Sequence, residues 1–131
     1  PENAIIQSAR IQLRRNDFIG QPDKLGEIHF DMAPDSGFNN NYALESEDFS
    51  TLAASSNVAT LNNLYSGDVL EVSLSQTGIQ ALNLNGRSQL RLYFTLPNNS
   101  DDIEDRISFY SGSAADSSLY PQLIVDYELA K

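Results

Sequence analysis

The sequence predicts an all-β protein, a two-layer antiparallel β-sandwich of jelly-roll type with one or two short helical insertions. Residues 88–94 and 107–112 alternate apolar and polar side chains at a period of two, the spacing at which side chains leave a strand on opposite faces. Residues 121–127 form a further extended run, opened by Pro121, which ends the regular structure. Between such runs Gly20, Pro22, Gly26, Pro34, Gly37 and Asn85-Gly86 punctuate the chain, so it turns often and leaves no room for a helix of ordinary length.

The elements follow in order. Residues 5–14 make a first strand, with Ala9, Ile11 and Leu13 on one face and Arg10, Gln12 and Arg14 on the other. After a loop, residues 27–32 make a second, burying Ile28, Phe30 and Met32 and turning His29 outward. A turn at 34–37 leads into the polar stretch 39–42. Ser46 is expected to cap a short helical turn whose early acids, Asp48 among them, suit the positive end of the helix dipole. Residues 58–61 and 68–74 read as strands, the latter with Leu70, Val72 and Leu74 inward. Ser75 then caps a second helical turn through Leu82, and Asn85-Gly86 turns the chain into residues 88–95. The sum is about seven strands, against eight for a full jelly roll, which leaves room for a missing strand at the start.

Composition bounds the function. A chain of 131 residues is one domain, 1–131, and 40% hydrophobic with 20% charged residues is the balance of a globular protein. Eighteen acidic against eight basic residues give a net charge of −10. That argues against nucleic acid as a partner, since phosphate binding rests on Lys and Arg, and it disfavours anionic membrane surfaces. No apolar run is long enough to insert in a membrane. With no cysteine there is no disulfide, thiolate chemistry or cysteine zinc site. An acidic surface suits solubility, cation binding, or life outside the cell as a secreted or cell-surface protein.

Two constellations are candidates for binding. The loop 98–105 gathers Asp101, Asp102, Glu104 and Asp105 beside Asn98 and Asn99, hard oxygen donors of the kind Ca²⁺ takes, although not at EF-hand spacing. Its plainer reading is a solvated hairpin loop. Glycan recognition would use aromatic faces with polar neighbours, and Tyr42, Tyr65, Tyr93 and Tyr110 with Arg91 are the candidates. Tyr93 and Tyr110 are out of phase with Phe94 and Phe109, which places both on one outer face. Tyr120 is a fifth candidate ring, and there is no tryptophan. A second acidic group, Asp31, Asp35, Glu45, Glu47 and Asp48, has no spacing that marks a catalytic pair. His29 is the lone histidine and no Gly-x-Ser-x-Gly elbow occurs, so no enzyme is expected.

Taken together, residues 1–13, 26–31, 37–38, 44–49, 89–94, 109–112 and 121–127 resemble, in order and spacing, the DNRLRE-type domain. This is a β-sandwich related to carbohydrate-binding modules of exported bacterial and archaeal surface proteins. The resemblance covers essentially the whole chain. It implies non-catalytic work, first of all carbohydrate binding or adhesion at the cell surface, with a polysaccharide or other surface glycan as partner. Members of that family carry at least one strand before the segment that opens this chain. The resemblance therefore also implies a second function: a structural subunit of a filament or surface layer, joined to copies of itself by strand exchange at edge strands.

Overall fold

Alternating apolar residues build the longest element of the computed structural model, which describes residues 3–131. Strand β1 (Ala4–Ile19) buries Ala9, Ile11 and Leu13 on one face. It runs five residues past the expected end at Arg14, because a bulge between Arg15 and Asp17 breaks the alternation without ending the strand. Strand β2 (Ile28–Met32) buries Ile28, Phe30 and Met32. Strands β3 (Ser55–Leu61), β4 (Val69–Ser73), β5 (Leu90–Phe94), β6 (Arg106–Phe109) and β7 (Gln122–Leu129) complete the set of seven.

Every pairing is antiparallel, and the strands form a four-stranded and a three-stranded sheet. In the larger sheet β1 is the spine. Residues Arg10, Ile11 and Gln12 pair with both β4 and β7, which therefore lie on opposite edges of β1. Farther along, Arg15 N–H donates to Asp68 C=O on the β4 side while Arg14 C=O accepts from Tyr110 N–H. Arg14 C=O and Arg15 N–H belong to one trans peptide group and point to opposite edges, so β6 continues the edge held by β7. In the smaller sheet β2 lies between β3 and β5. The inner faces of the two sheets meet in one core of Ala9, Ile11, Leu13, Ile28, Phe30, Met32, Val58, Leu61, Leu70, Val72 and neighbours. This is the two-layer β-sandwich that the alternation predicts.

One side of the sandwich is closed. Helix α1 (Gln76–Ala81) straps β4 to β3: Ser75 Oγ accepts the N–H of Gly78 at 3.2 Å, and Ser75 N–H donates to Val58 C=O at 2.7 Å. Gly78 lies against β3, where a Cβ would stand 2.8 Å from Val58 Cβ.

Short 3-10 turns occupy Pro22–Leu25, Phe38–Asn40, Ser46–Phe49 and Ser117–Leu119. The expected cap at Ser46 is corrected by one residue. Glu45 is the N-cap, and it forms a reciprocal box with Asp48, whose Oδ2 accepts Glu45 N–H at 3.0 Å. Ser46 Oγ donates instead to Glu47 Oε2. The segment 98–105 is not a hairpin loop, since it carries the chain from β5 in one sheet to β6 in the other.

Candidate functional site

The opposite side of the sandwich, between β5 and β7, is open. Gln89 C=O accepts from Ala33 N–H and Thr95 N–H donates to Glu27 C=O, so the odd-numbered residues of β5 turn their peptide groups to β2. By the antiparallel pattern Leu90, Leu92 and Phe94 turn theirs the other way, and among the described residues no strand pairs with that edge. On β7 the same logic holds. Ala9 C=O accepts from Leu74 on the β4 side, so the β7 partners of Ala9 and Ile11, which are Val125 and Leu123, turn their peptide groups to an unpaired edge.

Side chains beneath these edges are apolar and half-covered. Leu90, Leu92 and Phe94 face the core opposite Met32, Phe30 and Ile28, while Leu123 and Val125 face it opposite Ile11 and Ala9. Leu92 is nevertheless 39% exposed, Leu123 46% and Tyr127 51%. Two adjoining hollows of about 210 and 430 Å³ run along the gap and share Leu90 and Leu123. Leu92 lies at the Pro121 end and Ser88 at the Tyr127 end, so β5 and β7 run antiparallel across it.

A third hollow, a cleft of about 590 Å³, flanks β5 on the outer side, between the strand and the Ser46–Phe49 turn. Leu44, Glu45, Asp48, Phe49, Gln89 and Leu92 line it. Leu44 and Phe49 are 92% and 80% exposed, an unusual state for two large apolar side chains so close together. Asp48 Oδ1 is buried and has no hydrogen-bond partner among the described residues.

Arg91 holds this turn against the sheet. Its Nη1 donates to the carbonyls of Asp48 at 2.7 Å and Thr51 at 2.6 Å, and its Nη2 to Asp31 Oδ2 at 2.6 Å. The guanidinium also lies 4.7 Å from the Phe38 ring centroid. Asp31, only 3% exposed, further accepts Asn57 N–H at 2.9 Å and the Tyr93 hydroxyl at 3.3 Å. Burial alone would push its carboxyl up, but the Arg91, Asn57 and Tyr93 hydrogen bonds with the Arg91 charge outweigh it and hold Asp31 below its ordinary value. Burial first, then the Asp31 charge, raise the Tyr93 hydroxyl.

The predicted glycan set is scattered. Tyr93 and Arg91 are neighbours, with the guanidinium 5.9 Å from the ring centroid, but both are committed to Asp31. Tyr110 follows β6 in the other sheet, so it does not share an outer face with Tyr93: the 98–105 connection changes sheets, and phase within a strand carries no information across it. Tyr42 bonds through its hydroxyl to Asp35 C=O and lies under Arg87. Tyr65 packs edge-on to Phe18 and donates to Asp23 Oδ1 at 2.7 Å. Tyr120 follows the Ser117–Leu119 turn and is half-buried. His29 turns outward, as expected, toward Glu27 and the Tyr93 edge.

In the acidic loop the carboxylates serve the loop itself. Asp105 Oδ1 accepts Gln21 N–H at 2.6 Å, and its Oδ2 accepts Asn99 Nδ2 at 2.7 Å. Asp101 accepts from Asn99 Nδ2 and from Ile103 N–H, Glu104 pairs with Arg106 at 3.4 Å, and Asp102 stands exposed. Among the described residues no three His, Asp or Glu side chains are grouped to hold a metal ion.

Leu92 and Leu123, on the core-facing sides of their strands, thus form the most distinctive surface, together with Phe49. A readable signal for the outer part was the spacing of Leu44, Phe49 and Leu52 through an otherwise polar stretch. The arrangement offers unpaired backbone donors and acceptors with apolar hollows on both faces. That is the chemistry of strand addition. No family model, no curated protein and no solved structure matches this chain.

Proposed function

We propose that the protein is a non-catalytic β-sandwich module of extracellular, cell-surface assemblies that takes up an extended polypeptide strand along β5. The observation that supports this reading is the free edge of β5 at Leu90 and Leu92, between the apolar hollow toward Leu123 and the outer cleft of Leu44 and Phe49. A strand's alternate side chains leave on opposite faces, so one set would fill the gap toward Leu123 and the other would cover Leu44 and Phe49. Both hollows would then be occupied by a single register. From Pro121 to Tyr127 the gap is six residue steps, about 20 Å at the usual strand rise, and a donor of about seven residues spans it.

Selection from a random peptide library against the immobilised protein tests this reading. Enriched peptides are expected to alternate apolar residues at i, i+2 and i+4 and to slow hydrogen exchange at the Leu90, Leu92 and Phe94 amides. Enrichment without alternation, or without protection of those amides, overturns it.

Carbohydrate binding is the second reading. It is favoured by the exposed Phe49 ring beside the polar groups of Glu45 and Gln89, a stacking face with hydrogen-bonding neighbours. A glycan array in which a polysaccharide signal disappears with Phe49→Ala would support it. A silent array would leave strand uptake alone.

A further inference from the structure

We infer that the strand taken up along β5 is two-faced: apolar on its inward side chains and basic, Lys or Arg, on its outward ones. This deepens the strand-uptake reading and rests on it. The gap between β5 and β7 has no charged lining residue, so an inward charge there would be stripped of water without a partner. Inward positions are therefore neutral and apolar.

The outer cleft is different. Its lining carries the carboxylate of Glu45 and, buried behind it, that of Asp48, while Glu47 stands exposed between the two in sequence. Hydrogen bonds from its own backbone N–H and from the Ser46 hydroxyl hold the Glu47 carboxyl below its ordinary value, so it is ionised at neutral pH. Arg91, the cation in this lining, is already bound to Asp31 and to the carbonyls of Asp48, Phe49 and Thr51. The uncompensated charge of the cleft is negative. Beside it, Leu44 and Phe49 offer an apolar floor. A Lys or Arg side chain suits both features at once, its methylene stem lying on Leu44 and its charged head reaching the carboxylates or the face of Phe49. A neutral side chain would use only the floor, and an acidic one would meet like charge. The net charge of −10 adds a longer-range bias in the same direction and opposes a second acidic copy as the occupant.

Fluorescence anisotropy with three labelled peptides of about nine residues, long enough to span the gap, decides the matter: one alternating Val and Lys, one Val and Thr, one Val and Glu. The Val/Lys peptide is expected to bind about tenfold more tightly than Val/Thr, with Val/Glu weakest, and to lose its advantage as salt is raised. Glu47→Gln should cut Val/Lys affinity several-fold and leave Val/Thr unchanged, whereas Leu92→Lys should weaken all three. Equal affinity of Val/Glu and Val/Lys overturns the charge inference and leaves strand uptake standing. Val/Lys binding that is indifferent to Leu92→Lys places the peptide elsewhere and overturns the inference as well. Failure of every peptide, Val/Thr included, overturns strand uptake itself.

Discussion

Leu92 sits directly opposite Phe30 across the β2–β5 ladder, yet Phe30 is fully buried while Leu92 is 39% exposed. Opposed residues of a ladder share a face and touch, so this contrast marks where the core stops. Truncating the two should have unequal effects. Phe30→Ala is expected to cost about 3–5 kcal/mol, through lost burial and the cavity left behind. Leu92→Ala removes a side chain that keeps much of its contact with water and should cost about 1–2 kcal/mol. Urea denaturation of both variants measures the difference, and equal losses would mean that the gap is covered in solution.

The Arg91–Asp31 pair predicts a second pattern. Arg91→Ala leaves a carboxylate buried without its cation and frees the Ser46–Phe49 turn from its anchor, a loss of about 3–5 kcal/mol. Arg91→Lys should rescue only part of it, because one ammonium cannot reproduce the planar fork that meets a carboxylate and two carbonyls together. Full rescue by lysine, read from denaturation midpoints, would reduce the role of Arg91 to charge alone.

Acid should act through the same pair. The folded pKa of Asp31 lies below its ordinary value of 3.8. Its contribution to stability is therefore complete above that ordinary value and is lost as pH falls from there through the folded pKa. Thermal midpoints of the wild type should decline more steeply than those of Asp31→Asn in that acid range, with parallel curves from mildly acidic to neutral pH. Identical acid slopes would remove Asp31 from the account.

Gly78→Ala should destabilise the protein although it improves helix propensity by about 1 kcal/mol. The new methyl meets Val58 Cβ at 2.8 Å and Leu74 Cβ at 3.3 Å, so α1 must lift from β3. Overpacking of this kind costs about 1–3 kcal/mol. An increase in the thermal midpoint would show that the strap yields freely.

Much of this fold was legible because it is written locally. Alternation places Ala9, Ile11 and Leu13 inward, Ser75 caps α1, and all seven strands appear where extended runs occur. What escaped the sequence is non-local. The end of β1 hides behind a bulge at Arg15, and the cap of the Ser46–Phe49 turn shifts to Glu45 because two carboxylates close a box there. Tyr93 and Tyr110 read as one face because β5 and β6 are consecutive, whereas the chain between them changes sheets. Of the candidate site an unpaired edge was expected, but not which residues line it. Leu92 and Leu123 are apolar residues on extended runs like many others, and the absence of a pairing partner among the described residues turns them into a surface.

The pairing of β1 with β7 has a mechanical consequence. Asn3 C=O accepts Ala130 N–H at 2.9 Å, so the two ends of this antiparallel ladder lie side by side. Tension applied between residues 3 and 130 would peel the ladder rung by rung, each hydrogen bond bearing the whole load in turn. A strand lodged along β5 and pulled along its own axis would instead load every rung together. The module would be soft between its own ends and stiff along its groove, and its resistance to force would depend on which of the two carried it.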